Sequence, residues 1–178
     1  MTETQIFDAD TITGTLKRLA AEISERCMKC TNVVMLGIQK RGVPLAQRIT
    51  DYLYTENGLH IPVGALGVTF YRDDIGLRRR IKVPQKTEIP FDVSGKRIIL
   101  VDDVLFTGRT IRAAMDEIMD NGRPQQIQLL VLIDRGGREL PIAADYTGKV
   151  ISAAHDEKII VNLKETDGID TVISQRSI

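Results

Sequence analysis

The apolar residues of the chain change their spacing from one segment to the next. Near the start they recur every three or four positions, which predicts a helix from about Asp10, as its N-cap, through Arg26. Short, largely apolar runs then follow at intervals, and these are typical of strands buried on both faces. The helical positions are Ile12, Leu16, Leu19 and Ile23, and the runs are 33–36, 97–101 and 127–133.

Helices and strands alternate along the middle of the chain. Residues 43–54 and 110–121 are predicted as helices, and residues 61–70 as a strand interrupted by glycine. This alternation predicts an α/β fold, with a mainly parallel sheet flanked by helices. The tail from Lys158 onward adds two short strands around an Asp167-Gly168 turn.

Residues 71–94 do not fit either pattern. They mix charges with two prolines and carry few apolar residues, which predicts a long mobile loop. Loops of this length inside a domain are more often functional than not, commonly as lids over a site.

Length and composition limit the class of protein. A chain of 178 residues has the size of one domain, so residues 1–178 are predicted to form a single unit. Its 24 basic and 24 acidic side chains cancel, so any site for a polyanion must be a local patch. The sequence shows no membrane-spanning run and no signal peptide, which favours a cytoplasmic location and no membrane partner.

The cysteines Cys27 and Cys30 form a C-x-x-C motif. Half of a zinc site is one interpretation, but only His60 and His155 are available as nitrogen ligands, and they are isolated in sequence. Two reduced cysteines of a cytoplasmic protein are the favoured interpretation.

The strand predicted at 97–101 leads directly into two carboxylates, Asp102 and Asp103. Ligands of open parallel sheets bind at the carboxyl ends of the strands. We expect both carboxylates to lie outside the core, because an unpaired buried charge is costly. Thr107–Thr110 then opens a helix with a glycine, two hydroxyls and outward N–H groups, which suits a phosphate. Because an acidic pair suits neighbouring hydroxyls, the two elements together predict a site for a sugar phosphate with an exposed diol.

Each half of this pattern has another interpretation. Asp-Asp after a strand also opens the metal pocket of receiver domains, and Thr-Gly at a helix start can be simple capping. A second polyanion site is predicted at Gly37–Gly42, another strand-to-helix turn that carries Lys40 and Arg41. A solvated basic turn is the alternative for that segment.

Read as one segment, residues 98–110, IILVDDVLFTGRT, resemble the signature of type I phosphoribosyltransferases. Residues 71–75, YRDDI, and 122–149, GRPQQIQLLVLIDRGGRELPIAADYTGK, are similar to the PyrR family, and the likeness runs essentially from end to end. The resemblance implies a type I phosphoribosyltransferase fold with a small hood. It implies formation of UMP and pyrophosphate from uracil and phosphoribosyl pyrophosphate (PRPP), with Mg²⁺, in a homo-oligomer. Many members also bind pyrimidine-operon messenger RNA and control transcription attenuation when UMP is present.

The same resemblance implies roles for individual residues. Asp102 and Asp103 are the implied catalytic residues and hold the ribose hydroxyls, while Mg²⁺ is held mainly through ligand and water. Pyrophosphate binding is implied for Gln39, Lys40 and Arg41. PRPP binding is implied for Asp102, Asp103, Val104, Leu105, Phe106, Thr107, Gly108, Arg109 and Thr110. Uracil binding is implied for Ile133, Asp134, Arg135, Gly136 and Gly137, with the backbone of this segment reading the edge of the base.

The cations of the predicted loop are placed to close over the pyrophosphate and exclude water. Arg72 is the third implied catalytic residue. A solvated charged loop that never touches ligand is the alternative. The cations are Arg72, Arg78, Arg79, Arg80, Lys82 and Lys86.

RNA binding belongs to a different class of function, and here the chain departs from the family. Well-known RNA-binding members have histidine and arginine where this chain has Gly137 and Ala143. Arg26, Arg138 and Lys149 remain as predicted RNA contacts, on a surface weakened by these losses. Two alternatives stay open: an RNA-binding attenuation regulator with little enzymatic role, and a phosphoribosyltransferase for another base.

Overall fold

Eight strands and four helices make up the described part of the fold. The computed structural model describes residues 2–27, 32–68, 86–154 and 156–176. The strands are β1 (Thr2–Phe7), β2 (Val33–Ile38), β3 (Val63–Leu66), β4 (Arg97–Leu105), β5 (Gln126–Asp134), β6 (Tyr146–Val150), β7 (Glu157–Asn162) and β8 (Thr171–Arg176). The helices are α1 (Ala9–Cys27), α2 (Gly42–Asn57), α3 (Arg109–Asp120) and α4 (Lys164–Asp167).

The central sheet has five strands in the order β3-β2-β4-β5-β6, and each neighbouring pair is parallel. Successive residues of β4 enter different apolar clusters: Ile99 packs with α1 and α2, whereas Ile98 and Leu100 pack with α3. Helices on both faces of the sheet explain why its middle strands are apolar without alternation. The predicted α/β fold with a mainly parallel sheet is confirmed.

A second sheet of three antiparallel strands, in the order β1-β8-β7, forms from the two ends of the chain. The predicted hairpin of the tail is confirmed, with α4 inserted before the turn at Gly168. Strand β1 was not predicted, because TETQIF is mostly exposed and lacks an apolar run. Its strand structure depends on its partner β8, from the other end of the chain.

Two predicted boundaries are wrong. Helix α1 is capped by Asp8 rather than Asp10: the Asp8 carboxylate accepts a hydrogen bond from the Thr11 backbone N–H at 2.8 Å. Strand β3 ends at Leu66 rather than Phe70, and Gly67 and Val68 lie outside it. Residues 69 and 70 lie outside the described residues.

Residues 86–94, predicted as the end of a mobile loop, are anchored on the sheet. The backbones of Ala65 and Glu88 exchange two hydrogen bonds of 2.8 Å each. Ile89, Phe91 and Val93 pack against the apolar cluster beneath α3. Their alternate spacing is a strand-like signal that the surrounding charges obscured. The remainder of the predicted loop, residues 71–85, lies outside the described residues.

Candidate active site

The acidic pair lies inside strand β4 rather than after it. β4 continues to Leu105, and Asp102 and Asp103 are only 8% and 7% exposed. The expectation that both carboxylates lie outside the core is therefore wrong. Their charge is stabilised locally, because Asp102 Oδ1 accepts from the Asp103 N–H and Asp103 Oδ1 from the Val104 N–H, both at 2.9 Å. A guanidinium nitrogen of Arg41 lies 3.9 Å from Asp103 Oδ2.

The predicted phosphate turn, residues 107–110, follows within a few residues and leads into helix α3. Gly108 is the N-cap with φ of 93°, a left-handed conformation that favours glycine. Thr107 is buried, and its carbonyl accepts hydrogen bonds from the N–H groups of Glu139 and Leu140 at 3.0 and 3.1 Å. Glu139 and Leu140 thus hold the turn in place, and a twelve-residue helix begins directly after it.

The predicted pyrophosphate turn lies at the same edge, because Gly37 of β2 is in register with Val101 of β4. A Cβ on Gly42 would lie 2.2 Å from the Val101 carbonyl oxygen, so only glycine fits there. Gln39 donates from its side chain to the Lys86 carbonyl at 2.8 Å, and Lys40 is exposed. The turn therefore passes over the strand just before the acidic pair.

Arg41 has a partner that the sequence did not reveal. Its Nε and Nη2 donate to the two carboxylate oxygens of Asp167 at 3.0 and 2.9 Å. The bonds from Arg41 hold the pKa of Asp167 far below its usual range. Burial by itself lowers the pKa of Arg41, but the bonds to Asp167 and the charge of Asp103 outweigh it, and the pKa is raised. The segment that carries Asp167, residues 163–170, is called the C-terminal turn. The ion pair joins this turn to the candidate site.

The hood, defined here as residues 134–142, is braced by Arg138. Its guanidinium donates to Asp134 Oδ2 at 2.5 Å, to the Ile142 carbonyl at 2.9 Å and to the Phe106 carbonyl at 2.9 Å. Arg138 was predicted as an RNA contact, and that role stays a prediction. The sequence did not reveal the bracing role, because local charge does not indicate acceptors such as the Phe106 carbonyl, which is distant along the chain.

Arg135 and Gly137 enclose the Phe106 ring. Arg135 is 7% exposed, its guanidinium carbon lies 3.9 Å from the ring centre, and Nη2 donates to the Ala154 carbonyl at 3.0 Å. Burial lowers the pKa of Arg135, partly offset by Glu157. Gly137 has φ of 71°, and a Cβ there would lie 2.6 Å from Phe106 Cε2. With Phe106 in this position, a side chain at 137 would overlap the edge of its ring.

Two backbone donors of the predicted uracil segment are engaged internally. The Arg135 N–H donates to the Leu105 carbonyl at 3.1 Å, and the Gly136 N–H to Asp134 Oδ1 at 2.9 Å. Ile133 is fully buried in the sheet. The expectation that the backbone of 133–137 reads the base edge stays a prediction, and the N–H groups of 135 and 136 already have acceptors within the chain.

The other two predicted RNA contacts lie along the seam between α1 and β6. Arg26 lies over the Tyr146 ring and pairs with Glu22 at 2.8 Å, and Lys149 is exposed above the Phe7 ring. Arg72, the predicted catalytic loop residue, lies outside the described residues. Within the parts of the chain described, no helix is long and apolar enough to cross a membrane.

A cleft of about 450 Å³ opens elsewhere, at the β3 edge of the sheet. Its lining comes from the start of α2, from β3 and from residues 86–90, and includes neither carboxylate of the acidic pair. We therefore place the candidate active site at the buried carboxylates, the N-terminus of α3 and the hood rather than in this cleft.

The fold and the site together define a phosphoribosyltransferase. The family described as the phosphoribosyl transferase domain matches residues 3–164. Among solved structures, the hypoxanthine phosphoribosyltransferases of Trypanosoma cruzi and Staphylococcus aureus superpose with TM-scores of 0.75 and 0.73. The first is 18% identical, and the match covers 97% of this chain and 94% of that protein. The second is 16% identical, and the match covers 98% of this chain and 91% of that protein. At these identities the two structures show the fold alone.

Curated relatives narrow the class. The bifunctional protein PyrR of Chloroflexus aurantiacus is 53% identical over 98% of this chain and 96% of its own. The bifunctional protein PyrR of a Roseiflexus species is 51% identical over 99% and 97%. The chain belongs to the PyrR family.

Proposed function

We propose that the chain is a uracil phosphoribosyltransferase that forms UMP and pyrophosphate from uracil and PRPP. One observation carries the proposal beyond family membership: a buried acidic pair leads directly into a phosphate turn at the N-terminus of α3, with the hood above. This arrangement supplies acceptors for a ribose diol and donors for a terminal phosphate within a few residues of each other.

In the proposed reaction, N1 of uracil forms a bond to C1′ of PRPP as the bond from C1′ to pyrophosphate breaks. The N1 proton passes to solvent, and pyrophosphate leaves with the bonding electrons. Asp102 and Asp103 accept from the ribose hydroxyls, and their charge stabilises the cation that develops on the sugar. Thr107–Thr110 hold the 5′-phosphate, and Gln39, Lys40 and Arg41 hold the departing pyrophosphate.

Mg²⁺ is the proposed cofactor, and it neutralises the pyrophosphate when bound. Among the described residues, no three histidine, cysteine, aspartate or glutamate side chains form a group that could hold a metal ion. Mg²⁺ usually retains several waters and takes ligands from substrate phosphates, and this is the mode of binding proposed here.

The base is proposed to lie beneath the hood, beside Phe106 and the Gly136–Gly137 peptide. Both glycines have positive φ, and no atom lies within 4 Å of where a Cβ on Gly136 would be. This peptide is proposed to meet the alternating acceptors and donor of the uracil edge, since the N–H groups of 135 and 136 are engaged elsewhere.

Radiolabelled uracil, PRPP and Mg²⁺ provide the direct test. The wild type is expected to form UMP, and Asp102→Asn is expected to lower kcat/KM about a hundredfold through loss of charge-assisted hydrogen bonds. Asp116→Asn, an exposed carboxylate on α3, is the matched control and should leave the rate unchanged. Absence of UMP, or faster product formation with a purine base, would overturn the assignment to uracil.

A second function, UMP-dependent RNA binding in attenuation, is favoured by the bifunctional relatives and by Arg26 and Lys149 on one seam. Glu22 lies on the same seam and pairs with Arg18 and Arg26, which reduces the attraction for phosphate. A gel shift with the chain's own operon leader, with and without UMP, tests this role. A shift that is absent at low salt in both conditions would exclude it.

The chain is further proposed to act in the cytoplasm as a homo-oligomeric, single-domain protein. Its PyrR relatives match over nearly their full length, which supports one common organisation. Sedimentation velocity at micromolar concentration tests the assembly, and a species of about 20 kDa alone would contradict it.

A further inference from the structure

Asp167 is the acidic residue that the C-terminal turn contributes to the site. Both of its carboxylate oxygens accept from Arg41, 126 positions earlier in the chain, in a two-point fork. Such forks fix the plane of a guanidinium as well as its position. The orientation of Arg41 is therefore set by Asp167.

The Asp167 carboxylate is itself held in place. Its Oδ2 accepts from the Leu163 N–H at 3.0 Å and from the Thr166 hydroxyl at 2.6 Å, in addition to Arg41 Nε. Three donors on one oxygen leave the carboxylate little freedom to rotate. A fixed carboxylate can fix its partner, whereas a mobile one would only follow it.

The third nitrogen of the Arg41 guanidinium faces the acidic pair, 3.9 Å from Asp103 Oδ2. Arg41 thus lies between the acidic pair and the C-terminal turn, at the N-cap of α2 and within the predicted pyrophosphate turn. An arginine held this way loses less side-chain entropy when a ligand binds than a free one does.

Tethering of the C-terminal turn to α2 does not require this ion pair. Arg48 on α2 already forms a fork with Glu165, at 2.8 and 2.6 Å, and a second with Asp170, at 3.0 and 2.8 Å. These bonds join the same two elements without touching Arg41. The Arg41–Asp167 pair is therefore available for a role at the site.

We propose that Asp167 is a positioning residue for pyrophosphate binding: it holds the guanidinium of Arg41 in place beside the acidic pair. The inference rests on the proposed function, because it assumes that Arg41 contacts pyrophosphate. Asp167 acts through Arg41 and need not touch the substrate itself.

The main test compares initial rates of the wild type with those of Asp167→Asn and Asp170→Asn. Asp167→Asn is expected to raise the KM for PRPP about tenfold, the size of one charge-assisted hydrogen bond, and to leave the KM for uracil unchanged. Asp170→Asn removes an ion pair from the same turn, so it should cost similar stability and leave the KM for PRPP unchanged. A KM for PRPP at or below the wild-type value in Asp167→Asn would overturn the proposal, since it would mean that Asp167 is neutral or withholds Arg41.

A double-variant cycle separates positioning from general structural support. If Asp167 acts through Arg41, adding Asp167→Asn to Arg41→Ala should not raise the KM for PRPP further. Additive effects would overturn the proposal. Should Asp167→Asn be too unstable to assay, Thr166→Val loosens the carboxylate without removing its charge and is expected to raise the KM two- to fivefold, roughly; no change there would equally overturn it.

Failure of the proposed function can be recognised separately. If the wild type forms no UMP, calorimetric titration of the same variants with magnesium pyrophosphate tests the positioning role without turnover. Weaker binding in Asp167→Asn than in Asp170→Asn would support it, and equal binding would overturn it.

Discussion

The guanidinium of Arg135 stacks on the ring of Phe106, with 3.9 Å between the guanidinium carbon and the ring centre. Phe106 joins strand β4 to the predicted phosphate turn, and Arg135 lies in the hood directly after β5. The stack therefore links the hood to the predicted phosphate turn. The stack has a polar cost, because Arg135 Nε is buried and has no hydrogen-bond partner among the described residues.

Arg135→Ala is expected to lower the free energy of unfolding by about 2–3 kcal/mol, because it removes a buried stem and a cation–π contact. Arg135→Met keeps the stem and removes a charge that is costly to bury, so less than half of that loss is expected. Denaturant unfolding measures both. If both variants lost the same free energy of unfolding, the packing of the Arg135 stem would not offset the cost of burying its charge, and the expectation would be contradicted.

Gly42→Ala is expected to cost about 2–3 kcal/mol of stability, because its Cβ would overlap the Val101 carbonyl, a backbone atom that cannot move aside cheaply. Gly14→Ala is the matched control. It lies on α1, where an added Cβ would meet no described atom within 4 Å outside the backbone of its own helix, and alanine there should stabilise the helix by about 1 kcal/mol. Thermal unfolding should shift in opposite directions, and a shift in the same direction would contradict the close approach at Gly42.

Arg138→Ala is expected to lower the free energy of unfolding by about 2 kcal/mol, because it leaves the partly buried Asp134 carboxylate without its ionic partner. Arg112→Ala removes an exposed pair with Asp116 and should change stability by less than about 0.5 kcal/mol. Chemical denaturation measures the free energy of unfolding of both variants, and a larger loss in Arg138→Ala is expected if this residue holds the hood in place. Unchanged stability in Arg138→Ala would contradict the bracing role of this residue.

The ion pair of Asp167 predicts a dependence of stability on acid. Arg41 lowers the folded-state pKa of Asp167, so its contribution is present above the unfolded value of about 3.9 and is lost as the pH falls below it. Unfolding free energy measured from pH 6 to pH 3 should therefore fall more steeply at the acid end for the wild type than for Asp167→Asn. Parallel curves would show that Asp167 takes up its proton equally in both states.

The acidic pair and the phosphate turn were predictable from the sequence because the information is local. A buried run, two carboxylates and Thr-Gly-Arg-Thr stand within thirteen residues, and each residue type has a conformational or chemical reason to be there. The parallel sheet was predictable for the same reason, since strands covered on both faces must be apolar throughout. The burial of Asp102 and Asp103 was not, because it depends on which backbone donors surround them.

What the sequence by itself determined is therefore the α/β fold, the order of its middle elements and the residue types at the phosphate end of the site. Only the tertiary structure decided that Arg41 pairs with Asp167, that Arg138 braces the hood, and that β1 adds to a sheet built from the other end of the chain. The physical reason is the same in each case. Local propensity and periodicity act over a few residues, whereas the partner of a charged side chain or an edge strand is chosen by the packing of segments that are distant in sequence.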